Sequence, residues 1–542
     1  MTPTIDRRSL IVTGTLGLSG LAIPGFAQTA NVTQARGFTH SVASGEPGPD
    51  TMLLWTRYVP ADGGATTLTV EVSTTPDFAR VVSGGSQTTG PWRDHTAKIT
   101  VGGLRPGTDY HYRFVAPDGS FSPVGRTKTL PDGAASRFGI AVFSCSNMSF
   151  GYFNAYAHAA ARADIDLCLH LGDYFYEYAR GNYPAEADAV GARWPLPATE
   201  IVQLADYRLR YASYRADPDL QELHRVKPML VQWDDHESTN DSWEGGAQNH
   251  QPTTEGEWSV RRNAAVQAYR EWMPVSDELW KSYDIGTLAT LYRTETRLYG
   301  RTQPPEIATA LKAPDPVAAL KAFRDGAWAD PAMTMLGSQQ EQWLGRDLAR
   351  SVKTGLRWQV VGFGTILGEQ RTPEVAADWL DATSSPRARG YITNGILAAK
   401  AGIPANLDAW GGYPAARRRF LDSAQKAGAS LITLAGDSHN AWAFDLAQDG
   451  RAVGVEFAGQ AVTSPGYEAG IRTDPRTVAA ALVAANPELK WCDTSRRGYM
   501  AMTLRPDRVV NDWVFVDTIR TRTTAAKVGH SATVMRGRAR MA

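Results

Sequence analysis

Four apolar runs in this chain end in the same way. They read FGIAVFSCSN (138–147), IDLCLHLGD (165–173), KPMLVQWDDHE (227–237) and ASLITLAGDSHNAW (429–442). Each is a mainly apolar stretch of strand length that stops at a thiol, a carboxylate or a histidine. Unbroken apolar strands are buried on both faces, so other layers must cover them. Helical spacing lies between them at 152–162, 200–217 and 417–428, and LRWQVVGFGT (356–365) adds another strand. Such alternation predicts an α/β layer fold over about residues 137–530. Open α/β sheets bind ligands at the carboxyl ends of their strands. Cys145, Asp173, Asp234, Asp235, His236, Glu237, Asp437 and His439 are therefore expected at one edge. Carboxylates crowded on a dry edge repel and are costly to desolvate. Multivalent cations remove that cost and accept these ligand types. Taken singly, each residue has a plainer reading: a cap for Gly-Asp, a surface turn for Asp-His-Glu, core for Cys145 and Tyr176. Repetition at four strand ends favours a shared metal site.

Residues 36–131 follow a different pattern. Short alternating runs at 51–58, 66–74, 95–104 and 109–117 are separated by turn signals such as Arg105-Pro106-Gly107. That spacing predicts a β-sandwich of immunoglobulin or fibronectin type, with 129–136 as a linker. Upstream, Arg7-Arg8-Ser9-Leu10-Ile11 is a twin-arginine pattern, although Asp6 and Val12 depart from the usual residues. A mildly apolar stretch and Gly25-Phe26-Ala27 follow, so residues 1–27 are expected to be a cleaved export signal, with an uncleaved anchor as the alternative. The expected destination is the periplasm or the medium. Only three cysteines occur, at 145, 168 and 492, so at least one sulfur is unpaired. Cys168 is expected to be core. Lys plus Arg and Asp plus Glu both number 56, which gives no support to a nucleic-acid partner.

The ordered motifs Gly-Asp, x-His-Glu and Gly-Asp-x-His resemble those of calcineurin-like metallophosphoesterases. More closely, SVASGEPGPDTMLLWTRY (41–58), FSCSN (143–147), HLGDYFYE (170–177), KPMLVQWDDHESTND (227–241), LAGDSHNAWA (434–443) and the segment 496–518 resemble the alkaline phosphatase D (PhoD-like) family, over residues 38–519. The resemblance implies an α/β metallophosphoesterase sandwich of mixed sheets flanked by helices, behind an N-terminal immunoglobulin-like β-sandwich. It implies that Asp173 bridges two metal positions and that Tyr176 and Cys145 ligate Fe(III). Asp235, Asn240 and Asp437 would hold calcium, with Zn, Mn or a second iron as alternatives. It implies hydrolysis of small phosphate mono- or diesters by water, with His236 as acid or phosphoryl contact and His439 as metal ligand or phosphate contact. Asp234 should point away from Asp235 by strand alternation, and its role is left open. A phospholipase D-type activity, a non-catalytic carbohydrate-binding protein and an iron redox enzyme are the competing readings. The segment 240–340, with Trp243, His250 and Trp258, is expected to be a well-packed surface excursion or a cover for the site. Residues 531–542 are expected to be a solvated basic tail, and 520–542 a weak contact with anionic membrane in the sharper reading. A monomer is expected.

Overall fold

The computed structural model describes residue 32, residues 35–191 and residues 193–542, so the export signal expected over 1–27 lies outside the described residues. Two β-sheets stack on one another. The first has nine strands, in the order Ala526–Met535, Arg508–Val516, Gly498–Leu504, Phe138–Phe143, Leu167–His170, Met229–Val231, Gly37–Gly45, Met52–Val59 and Thr96–Val101. The second has seven, in the order Lys281–Ile285, Ala289–Arg293, Trp358–Gly362, Leu431–Ala435, Arg451–Ala458, Ala441–Gln448 and Leu489–Asp493. In each sheet the central strands run parallel.

Alternation along the apolar runs builds the layers. Ile140, Val142, Leu167, Leu169 and Leu230 point from the first sheet into a shared core with Leu291, Val360, Ile432, Leu434 and Phe457 of the second. Ala141, Phe143, Cys168, Met229 and Val231 point the other way, into a core with Tyr156, Tyr211, Leu223 and Trp272 of the helices Asn154–Ala161, Leu204–Arg215, Pro218–Val226 and Trp258–Trp272. Val361, Leu431 and Ala435 of the second sheet pack with Leu344, Phe420 and Val478 of the helices Gly337–Lys353, Pro414–Ala427 and Pro475–Ala485. The result is a helix–sheet–sheet–helix stack, the α/β sandwich expected from the sequence. Cys168 is core, as expected, and Cys492 lies in the outer core of the second sheet. All three cysteines are free.

The N-terminal strands close a β-sandwich of their own. A four-stranded sheet, Val81–Thr89, Thr66–Ser73, Asp109–Val115 and Gly125–Lys128, shares a core with Gly37–Gly45, Met52–Val59 and Thr96–Val101. The last three also continue the nine-stranded sheet. The joint is one parallel pair, Gly45 beside Met229. Glycine is needed there, because a Cβ on Gly45 would lie 2.0 Å from the Pro274 carbonyl oxygen and 2.9 Å from that of Met229.

Two expectations are corrected. The segment 240–340 is no mere excursion, because Lys281–Ile285 and Ala289–Arg293 are strands of the second sheet. Its Trp258 is buried, donates to the Glu244 carbonyl (3.1 Å) and packs against His250. The stretch read as a solvated tail contains an edge strand, Ala526–Met535, paired along Arg508–Val516. An edge strand has one open side, and five of its ten residues are polar, basic or glycine, which hides the period-two signal. Gly45→Ala should destabilise the joint by about 1–3 kcal/mol, the usual cost of overpacking. Its urea midpoint should fall accordingly; an unchanged midpoint would mean the joint carries no strain.

Candidate metal centre

The strand ends converge as a set of tight, irregular turns. Phe138–Phe143 and Leu167–His170 stop, but their backbones stay paired: Cys145 N–H reaches the Gly172 carbonyl at 3.2 Å and Ser146 N–H that of Asp173 at 2.8 Å. Gly172 sits at φ 108°, and a Cβ on it would lie 2.3 Å from the Asp234 nitrogen. The glycine of Gly-Asp is therefore what lets the Trp233-Asp234-Asp235 turn approach. Cys145 (φ 59°), Asp173 (φ 54°), Asp241 (φ 49°), Asp437 (φ 59°) and His439 (φ 63°) all occupy the left-handed region. Non-glycine residues there cost free energy and persist where surrounding structure imposes them, often at functional sites. One imposing group is Glu237. Its buried carboxylate accepts from the N–H groups of Asp173 (3.1 Å), Tyr174 (2.6 Å) and Asp234 (2.9 Å), so it fastens two strand ends together.

Four groups of ligand atoms result, each within 4.8 Å: Cys145–Asp173–His439, Asp173–Asp235–His236, Asp234–Asp235–Asp437 and Asp235–Asp241–Asp408. Asp173 belongs to two of them and Asp235 to three. Tyr176 completes the first: its Oη is 3.1 Å from Asp173 Oδ2 and 3.1 Å from His439 Nε2, and it accepts from Ser464 Oγ at 2.7 Å. His439 Nδ1 donates to the Pro465 carbonyl at 2.8 Å. That bond leaves Nε2 as the lone-pair nitrogen facing Asp173 and Tyr176. Burial lowers the His439 pKa to about 3, so the ring is neutral.

The second histidine is set up differently. His236 Nδ1 donates to Glu177 Oε2 at 2.7 Å. Glu177 is fully buried, and its other oxygen accepts from Thr239 Oγ1 (3.0 Å), Asn240 N–H (2.9 Å) and Asn249 Nδ2 (2.9 Å). Burial opposes a charge on His236, but Asp235, Glu177 and Asp173 outweigh it and raise the pKa well above the usual value. One ring is thus held neutral and the other charged.

The remaining charges do not balance. Arg297, fully buried, grips Asp234 with Nε to Oδ1 at 2.8 Å and Nη2 to Oδ2 at 2.7 Å, and reaches Asp408 at 2.6 Å. Burial works against Asp235 too, yet Arg297 and His236 hold it below the usual carboxylate range. Elsewhere burial wins. It raises Asp234 to about 6, and with Asp408 and Asp235 it raises Asp241 to about 7. Asp173 and Asp437 are pushed up by burial first and then by neighbouring carboxylates. Asp173 Oδ1 is buried without a hydrogen-bond partner. A buried unpaired oxygen between two groups of anionic donors fits multivalent cations, which reverse the local pKa logic.

The structure brings together Cys145, Asp173, Tyr176, Asp235, His236, Asp437 and His439. Asn240 lies on the wall of the adjoining cavity, its amide donating to Gln248 Oε1 at 3.1 Å. Asp234 corrects the sequence reading: it clusters with Asp235 and Asp437 rather than turning away. The strand ends at Val231, three residues earlier, so alternation no longer applies. Arg297, Asp408, Asp241 and Glu177 were missed as site residues. Glu177 stood inside a quoted motif; Arg297 and Asp408 come from segments with no motif at all.

This stack of two sheets, with carboxylates and histidines at the strand ends, defines a metallophosphoesterase-type hydrolase. Its fold is that of purple acid phosphatase PPD1 from yellow lupin (Lupinus luteus) seeds, at a TM-score of 0.53 and 14% identity over 92% of this chain and 74% of that one. The family model for PhoD-like phosphatase matches residues 140–513, and that for the PhoD-like phosphatase N-terminal domain matches residues 25–131. Alkaline phosphatase D of Bacillus subtilis (strain 168) is 30% identical over 94% of this chain and 84% of that protein. A solved structure of PhoD has a TM-score of 0.75 and 28% identity, covering 93% of this chain and 91% of that one. The chain belongs to the PhoD-like phosphatase family and is a phosphoric ester hydrolase. Family membership sets aside the carbohydrate-binding and redox readings.

Glu177→Gln should keep the fold and bound metal while lowering kcat/KM by about 10–100-fold, the usual cost of losing a group that orients a site residue. Metal analysis and steady-state rates check this; wild-type turnover would remove Glu177 from the machinery.

Proposed function

We propose that this protein is an exported phosphoesterase that hydrolyses small phosphate mono- and diesters at a centre of one Fe(III) and calcium. The observation that supports it best is Asp173 Oδ1, buried and unpartnered where two ligand groups meet. Cys145, Asp173, Tyr176 and His439 would hold the iron, since thiolate, phenolate and carboxylate are anionic donors that stabilise the ferric state. Asp235 and Asp437, joined by Asp241, would hold calcium through oxygen, with Asn240 on the adjoining cavity wall as a further oxygen donor. Bound cations would polarise the phosphoryl oxygens and lower the pKa of the attacking water.

The chain's own residues supply the rest. His236, kept charged by Glu177 and Asp235, stands on the wall of a cavity of about 620 Å3. From there its Nε2–H can stabilise the phosphoryl group and pass a proton to the departing alkoxide, a contribution of ~10²–10⁴-fold. Arg297 is fully buried and does not line the cavity beside His236. It neutralises Asp234 and fixes Asp408, which keeps the carboxylate cluster assembled. Among the described residues no helix is long and apolar enough to cross a membrane. The twin-arginine pattern suits a chain whose metals are loaded before export.

Tyr176→Phe keeps the ring but removes the phenolate. The purified wild type should show a broad visible band that shifts or fades in Tyr176→Phe and changes separately in Cys145→Ser; a colourless, iron-free protein would overturn the iron assignment. Asp173→Ala should lose metal and hydrolysis of p-nitrophenyl phosphate together, and wild-type turnover would remove it from the centre. Replacing Arg7-Arg8 by Lys-Lys should leave precursor in the cytoplasm; normal export of that variant would point to another route.

A further inference from the structure

Residues 176–178 serve both chemical halves of the centre. Tyr176 brings its phenol to Asp173 and His439, and Glu177 holds His236. The backbone that carries these side chains lies beyond the strand Leu167–His170 and belongs to no sheet. Its carbonyls are held instead by buried donors. That of Glu177 accepts from Ile201 N–H at 3.1 Å. Those on either side of it both accept from the guanidinium of Arg210, Tyr176 from Nη1 and Tyr178 from Nη2 at 3.4 Å.

Arg210 stands on the helix Leu204–Arg215 and is buried. Its remaining donors reach a second loop. Nε meets the Leu196 carbonyl at 3.0 Å, and Nη2 meets those of Pro197 at 3.1 Å and Thr199 at 3.2 Å. Arg180 N–H ties the same two loops through the Ala198 carbonyl at 2.8 Å. Five carbonyls thus surround one guanidinium, and none of its hydrogen bonds goes to a carboxylate. Burial lowers the pKa of Arg210, opposed by Tyr214, Glu177, Tyr207 and Asp206, and a guanidinium keeps its charge in proteins. A buried charge is expensive unless its donors are satisfied. What the charge secures here is geometry: a planar fork of five donors fixes carbonyls of two loops at set angles, which the point charge of an ammonium does not.

We propose that Arg210 is a positioning residue, which sets the backbone of residues 176–178 and so aligns the phenol of Tyr176 and the carboxylate of Glu177 together. It acts only through the two loops. A displacement of about 1 Å in such a setting lowers rates by up to ~10²-fold. The inference takes the roles of Tyr176 and His236 from the reading above.

The test compares Arg210→Lys and Arg210→Gln with Arg215→Lys in the full-length, metal-loaded enzyme. Arg215 is a matched control. It is fully buried on the same helix, but it donates to the Trp272 carbonyl at 3.2 Å and lies over the Trp55 ring, 4.2 Å from the centroid. Circular dichroism and iron content confirm that each variant is folded and loaded. Both Arg210 variants should lose about 10–100-fold in kcat on p-nitrophenyl phosphate with KM within about twofold. Their visible absorption band should shift or weaken at unchanged iron content, which a loss of packing elsewhere would not cause. Arg215→Lys should keep the wild-type band and a kcat within about twofold of wild type. Arg210 variants with the wild-type band and kcat overturn the proposal. So does an equal loss in Arg215→Lys, or failure of both Arg210 variants to fold, because either makes Arg210 a packing residue. A colourless, iron-free wild type refutes the iron assignment instead, and the comparison of kcat with KM across the three variants then decides the role of Arg210.

Discussion

The structure is organised around an electrostatic conflict. Asp173, Asp234, Asp235 and Glu237 are all almost completely buried, and Asp437 and Asp241 stand against them. Arg297 and His236 are the cations set among them. Carboxylates do not collect in a dry interior without compensation, because each charge loses its hydration and gains like-charged neighbours. The fold nevertheless pins them there. Glu237 ties two turns together through three backbone N–H groups, and Gly172 permits contact at the Asp234 backbone. Five residues of the cluster hold left-handed backbone conformations. A chain that spends this much conformational freedom on holding anions together is built to receive positive charge.

The two-sheet sandwich makes that arrangement attainable. Its strands carry apolar side chains on both faces, so their positions are fixed by packing on both sides. Turns at the strand ends inherit that rigidity. Residues from far along the sequence, such as Cys145 and His439, then meet within 4.8 Å. The two histidines show how locally the chemistry is set. One donates to a carbonyl and is neutral; the other donates to a buried carboxylate and is charged.

Much of this was legible in the sequence, and the reasons are physical. Largely apolar runs such as residues 138–143 and 431–435 announce doubly covered strands, and each run carries its thiol, carboxylate or histidine just past its end. Local order could not reveal Arg297 or Asp408, because neither follows a strand-end motif and both act through contacts across more than 60 residues. Asp234 was misplaced because alternation was extended past the strand's end. The joint between the N-terminal sandwich and the larger sheet was hidden for a similar reason: a single residue pair leaves no periodicity to read. Edge strands with polar faces, such as Ala526–Met535, give the weakest signal of all.

The central claim is that the buried cluster holds cations, with iron at the Cys145 and Tyr176 end. Anomalous X-ray diffraction from crystals of the protein as isolated, recorded on either side of the iron absorption edge, tests it most directly. The account predicts an iron peak bonded to Cys145 Sγ, Tyr176 Oη, His439 Nε2 and Asp173, with further cation density between Asp173, Asp235 and Asp437. A crystal of active enzyme with no anomalous peak at that end, or with its metal bound away from these residues, would contradict it.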